Sequence, residues 1–127
     1  MTFYAELART FSFESAHYLP NVPDGHKCGR MHGHSYTVEV QVAGNVGDKS
    51  GFVQDFGDLS VAFAPVQEQL DHHLLNEIEG LENPTSEHLA RWIWLRLVDE
   101  LPLLSAIVVS ETLRSTCTYR GEPNGAK

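Results

Sequence analysis

The chain has 127 residues, seven histidines, two cysteines and a formal net charge of −8. That length suits a single domain, taken as residues 1–127, and the acidic balance argues against a general nucleic-acid binder, which needs a basic face. No apolar run is long enough to cross a bilayer, residues 1–9 lack a signal-peptide pattern, and Cys28 and Cys117 form no disulfide framework, so a cytoplasmic protein is expected.

Residues 2–17 read as a first strand. Phe3, Ala5, Leu7, Phe11, Phe13, Ser15 and His17 share one face, and Glu6, Thr10, Ser12 and Glu14 take the other. Residues 18–31 are rich in Pro, Gly, Asn and Asp and read as a loop, one long enough to suggest a functional role. A second strand follows over 32–43, with His32, His34, Tyr36, Val38, Val40 and Val42 on one face. Residues 44–51 read as a turn and 52–56 as a short extended piece.

A first helix is expected over 58–70, with Asp58 as N-cap and a stripe of Leu59, Ala62, Phe63, Val66 and Leu70. Pro65 conflicts with it, since an interior proline kinks a helix or costs about 3 kcal/mol. After a loop, Thr85 or Ser86 caps a second helix with a stripe of Leu89, Trp92, Ile93, Leu97 and Leu101, stopped by Pro102. Residues 103–112 and 115–120 read as two more strands, and the tail from Gly121 as mobile. The order strand, strand, helix, helix, strand, strand is an α+β layout, an antiparallel four-stranded sheet backed by two helices. Its exposed edges invite pairing with further copies of the chain.

The chemistry gathers where the first two strands meet. If they pair antiparallel, His17, His32 and His34 converge on one apolar face. Three imidazoles with an open fourth position suit a catalytic zinc. Cys28, in the loop above, is a candidate base or nucleophile, or else a fourth ligand of a structural zinc. Asp71 and His72 form an adjacent carboxylate–imidazole pair, usable for proton transfer only if the helix has ended there; His73 is the rival imidazole. Glu111 shares parity with Ile107 and Val109 and needs a partner, either the amidine-like edge of a pterin or guanine, or Arg114 or Arg120. Lys27 and Arg30 flank Cys28 and could form a local anion site.

Together, Cys28-x-x-x-His32-Gly-His34, Phe13-Glu-Ser-Ala-His17, Leu70-Asp-His-His-Leu-Leu-Asn76, Asn83-Pro-Thr-Ser-Glu87 and Ser110-Glu111-Thr resemble the 6-pyruvoyltetrahydropterin synthase family over residues 6 to 122. The short gap from Cys28 to His32 is similar to its bacterial carboxy-forming members; the animal pyruvoyl-forming members have a longer one.

The resemblance implies a tunnelling fold (T-fold) whose subunits join into a barrel, usually a homohexamer of two trimers. It implies Zn²⁺ on His17, His32 and His34, Cys28 as proton acceptor, and Asp71 with His72 as a relay delivered to a neighbouring subunit. It also implies Glu111 as pterin anchor, helped by Thr85 and Glu87. The implied reaction turns 7,8-dihydroneopterin 3′-triphosphate into 6-carboxy-5,6,7,8-tetrahydropterin, acetaldehyde and triphosphate for queuosine biosynthesis, with Lys27 and Arg30 meeting the triphosphate. Rival readings are a pyruvoyl- or aldolase-type outcome on the same fold, a non-catalytic zinc module, and a cupin-like protein using His32, His34 and Glu39. Glu39 lies on the wrong face for that last arrangement.

Overall fold

Alternation, broken in β1 at Ala8 and Arg9, makes β1 (Tyr4–His17) and β2 (His32–Asn45) a long antiparallel pair. Their register runs without a slip from Tyr4 opposite Asn45 to His17 opposite His32. Any one-residue slip would turn the valines of β2 outward, so the buried face fixes the pairing. The computed structural model describes residues 2–122 and adds β3 (Leu104–Thr112) and β4 (Ser115–Tyr119), giving an antiparallel sheet in the order β1-β2-β3-β4. The pairing of β2 with β3 shifts at Gln41/Val42, and that of β3 with β4 shifts between Ser110 and Thr112, beside Glu111.

The two helices are α1 (Phe56–Leu70) and α2 (Ser86–Leu97). Both expected stripes are buried and join Phe13, Tyr36, Val38, Val40, Ile107 and Val109 in one core. The helix boundaries differ from expectation in instructive ways. Asp55, not Asp58, caps α1 by accepting from the Gly57 N–H at 2.8 Å. Asp58 instead lies in the first turn, where a carboxylate favours the helix dipole. The helix thus begins at Phe56, and residues 52–54 are bends rather than a strand.

Pro65 stays inside α1 without ending it. Its missing donor leaves the Val61 carbonyl on the solvent side of the helix, where Val61 is 75% exposed and water can replace the lost bond. The second helix stops at Leu97, ahead of Pro102, and turns carry the chain to a buried Leu101. No helix among the described residues is long and apolar enough to cross a membrane.

The free edge of β1 is half covered by its own chain. The Gln67 amide donates to the Ser12 carbonyl at 2.9 Å, and the Glu14 N–H donates to Asp71 Oδ1 at 2.9 Å. The His72 N–H donates to the Glu14 carbonyl at 2.6 Å, and Ala16 N–H to the His73 carbonyl at 3.1 Å. Residues 4–10 have no such cover among the described residues. At the other end of the chain, Glu122 accepts from Arg91 and from the Tyr119 hydroxyl, both at 2.6 Å. The tail expected to be mobile from Gly121 is thus held at Glu122, and 123–127 lie outside the described residues.

Candidate metal and ligand site

The register that sets His17 opposite His32 also puts His34, two residues along β2, on the same face. His17 is 1% exposed. Its ring Nδ1 donates to the Pro84 carbonyl at 2.8 Å, and that of His32 donates to the Arg30 carbonyl at 2.6 Å. A carbonyl can only accept, so each Nδ1 carries the ring proton and each neutral Nε2 presents a bare lone pair. Those two Nε2 atoms face one another at 3.1 Å.

Two lone pairs at that separation repel unless a cation lies between them. A tetrahedral divalent ion at about 2.05 Å from each nitrogen would hold them about 3.3 Å apart. The third ring, His34, has a buried Nε2 with no hydrogen-bond partner among the described residues. Ligand atoms of the three histidines all lie within 4.8 Å of one another. This donor set fits a metal, with the two backbone carbonyls fixing two of the ring tautomers.

Behind the cluster stands Tyr36, fully buried, stacked on Phe13 at 4.9 Å and edge-on to His17 and His34. Burial pushes its hydroxyl up, so it stays neutral, and Glu111 adds to the shift. Burial also holds His17 and His34 below the ordinary imidazole value of 6.5, against the opposing pull of Glu111 on both and of the Pro84 carbonyl on His17. Above 6.5 both rings are neutral in the folded and unfolded chain alike. As pH falls through that value the unfolded chain takes up protons first. Metal-free protein should therefore keep a constant unfolding midpoint above about pH 7 and lose stability progressively below it; a midpoint flat from about pH 7 to pH 5 in a chelator-treated thermal series would contradict this reading of the site.

Cys28 sits half-buried on a 3₁₀ turn, Lys27–Gly29. Together with Lys27, His32, His34 and Glu111 it lines a cavity of about 410 Å³, within the range of small-molecule sites. Arg30 is separated from Lys27: its extended backbone turns the exposed side chain to a different depression, lined by Tyr18, Pro23 and His26. What Arg30 gives the site is its carbonyl, the acceptor for His32.

Glu111 finds neither Arg114 nor Arg120. Its Oε1 accepts from the Ser86 hydroxyl at 2.7 Å, and its Oε2 lies 3.7 Å from His34 Nε2. Ser86 lies inside the Thr85–Glu87 stretch expected to help Glu111, but sequence reasoning named it individually only as a helix cap. The cap is Thr85, which accepts from the His88 N–H at 3.1 Å. Glu87 points outward, near Cys117 of β4, whose thiol is pushed up mainly by burial and further by Glu87. Of the expected pair Thr85 and Glu87, neither meets Glu111; the residue between them does. Beyond Glu111 a second cavity of about 400 Å³ is lined by Ser35, Thr37, Ser110, Thr112 and Leu113.

The Asp71–His72 pair is real in geometry. The first helix ends at Leu70, which frees Asp71 to cap it and the next residue to turn. His72 adopts a left-handed φ of 59°, uncommon for a side chain of its size. Its Nδ1 reaches Asp71 Oδ2 at 2.9 Å. The Glu14 N–H and then His72 hold the Asp71 carboxyl below the usual range. His73 bonds the Asp71 carbonyl instead at 2.7 Å, which removes it as the carboxylate's partner. The dyad lies on the outer edge of β1, with the His72 side chain 78% exposed, and does not line the Cys28 cavity.

The family described as 6-pyruvoyl tetrahydropterin synthase matches residues 6–122. The 6-carboxy-5,6,7,8-tetrahydropterin synthase of Synechocystis sp. is 43% identical over 117 residues, covering 87% of this chain and 89% of that protein. The enzyme of that name from Bacillus subtilis is 35% identical, covering 94% and 88% respectively. Among solved structures, 6-pyruvoyl tetrahydropterin synthase of Caenorhabditis elegans superposes with a TM-score of 0.86 at 27% identity, covering 94% of this chain and 96% of that one.

Proposed function

This chain belongs to the 6-pyruvoyl tetrahydropterin synthase family and has its T-fold, and from that premise we propose that it converts 7,8-dihydroneopterin 3′-triphosphate to 6-carboxy-5,6,7,8-tetrahydropterin. Acetaldehyde and triphosphate leave, one water is consumed, and the product feeds queuosine biosynthesis. Reduction of the ring is matched by oxidation of its side chain, so no external reductant is needed. The observation that supports this reading best is the single cavity bringing Cys28, Glu111, His32 and His34 together.

The all-nitrogen donor set with an open position suits Zn²⁺ on His17, His32 and His34, which when bound acidifies a hydroxyl of the substrate side chain. Glu111 takes the donor edge of the pterin, oriented by Ser86. Cys28, beside that side chain, accepts and returns its protons, and the Asp71–His72 dyad carries protons to and from solvent. Lys27 at the mouth meets the triphosphate, with Arg30 reaching it only if the loop moves. The dyad's place on the exposed edge of β1 supports a homohexamer of two trimers in which each dyad serves a neighbour's cavity.

Replacing Ser86 by Ala removes a hydroxyl bonded to a carboxylate, a contact worth about 1.5–3 kcal/mol. The KM for the pterin should rise about tenfold or more while kcat changes little, as steady-state kinetics would show.

Product analysis tests the whole proposal. Zinc-loaded protein incubated with dihydroneopterin triphosphate should yield the carboxy product and acetaldehyde, and Cys28→Ala should yield neither. A pyruvoyl product would move the chain to the sister activity named for the worm relative. Zinc binding without turnover would leave only a metal-binding protein.

A further inference from the structure

Cys28 is gripped through its backbone from two sides. Its N–H donates to the ring Nδ1 of His26 at 3.0 Å, and its carbonyl accepts from the Leu19 N–H at 2.8 Å. His26 is the N-cap of the Lys27–Gly29 turn, a position where Ser, Thr, Asp and Asn are the usual residues. An Nδ1 that accepts from an amide carries no proton, so the neutral ring is protonated at Nε2.

The turn closes on itself, because Gly29 N–H donates to the His26 carbonyl at 3.0 Å and Arg30 N–H to the Lys27 carbonyl at 3.2 Å. The end of that closed unit is the Arg30 carbonyl that fixes His32. A shift of the turn therefore moves the thiol relative to the histidine cluster. The His26 ring lines the outer depression of the loop and not the Cys28 cavity. It acts on the site through Cys28 alone.

We propose that His26 is a positioning residue, whose ring fixes the Cys28 amide and so keeps the thiol turned into the cavity. This rests on the proton-transfer role proposed for Cys28. The test compares His26→Ala with His26→Asn in zinc-loaded protein. Asparagine carries its Oδ1 as many bonds from the backbone as histidine carries Nδ1, so it can accept the same amide proton. Iodoacetamide labelling, read separately at Cys28 and Cys117 by mass spectrometry, reports the thiol's freedom without needing a pterin.

In His26→Ala, Cys28 should alkylate about five- to tenfold faster and turnover should fall by a similar factor, with zinc binding and Cys117 labelling unchanged. His26→Asn should return both rates to within about twofold of the parent. An unchanged Cys28 rate in the alanine variant overturns the proposal. So does failure of Asn to restore it, or a parallel rise at Cys117, which would mean general loosening. The labelling ratio reads His26 even if the parent turns over no pterin, so the two readings fail separately.

Discussion

His17→Ala is expected to strip the metal from the protein and reduce pterin turnover below detection. Four-ligand zinc sites bind with about 10–16 kcal/mol, so one imidazole of three is worth roughly 3 kcal/mol or more, about two to three decades of affinity. His17 is also the ring that faces His32 Nε2 across 3.1 Å. Its removal leaves two donors from a single strand. There is a folding cost as well, because the Pro84 carbonyl loses the ring N–H that donates to it and the buried ring leaves a void, together about 2–4 kcal/mol.

His34→Ala separates these effects. Its Nε2 has no hydrogen-bond partner to forfeit among the described residues, and its side chain is more exposed. It should lose metal to a similar extent with a smaller drop in unfolding midpoint. Equilibrium dialysis against zinc and a thermal melt, run on both variants, decide the matter. Retention of one equivalent of zinc by His34→Ala would remove His34 from the ligand set, and a parent protein that takes up no zinc would show that the cluster is a set of core histidines and not a metal centre.

Much of this arrangement could be read from residue order because it depends on parity. The alternation of β1 and β2 and the length of loop 18–31 leave one register that buries both apolar faces, and that register makes His17 and His32 opposite neighbours. The helix stripes are legible for the same reason, since a 3.6-residue period survives even Pro65 when the freed carbonyl faces water. What escaped was decided by side chains competing for the same backbone donors. Asp55 and Asp58 are equally good caps by type, and only the bends over 52–54 settle which one begins the helix. Thr85 and Ser86 pose the same choice. Once Thr85 takes the cap, the Ser86 hydroxyl is free to turn to Glu111. Arg30 and Lys27 line different depressions because adjacency in a loop says nothing about direction when a 3₁₀ turn intervenes.

The dyad yields the second large effect. Cys28→Ala and His72→Asn should each abolish turnover, yet a refolded equal mixture of the two should recover about one quarter of parental activity. Asparagine suits position 72 because it tolerates the left-handed φ of 59° that the His72 N–H bond to Glu14 imposes, so the variant loses the imidazole and keeps the turn. The recovery follows from geometry. The dyad stands on the outer edge of β1, and the cavity is lined by Lys27, Cys28, His32 and His34 and by Glu111 on β3, not by the dyad. If each dyad serves a neighbour, random assembly pairs an intact Cys28 with an intact His72 at one junction in four. If instead the loop 18–31 folds over so that both act within one chain, every chain in the mixture is broken and nothing is recovered. Size-exclusion of the mixture confirms that both variants assemble. A blank result from a fully assembled mixture would return the dyad to its own subunit's cavity and remove the functional reason for the oligomer.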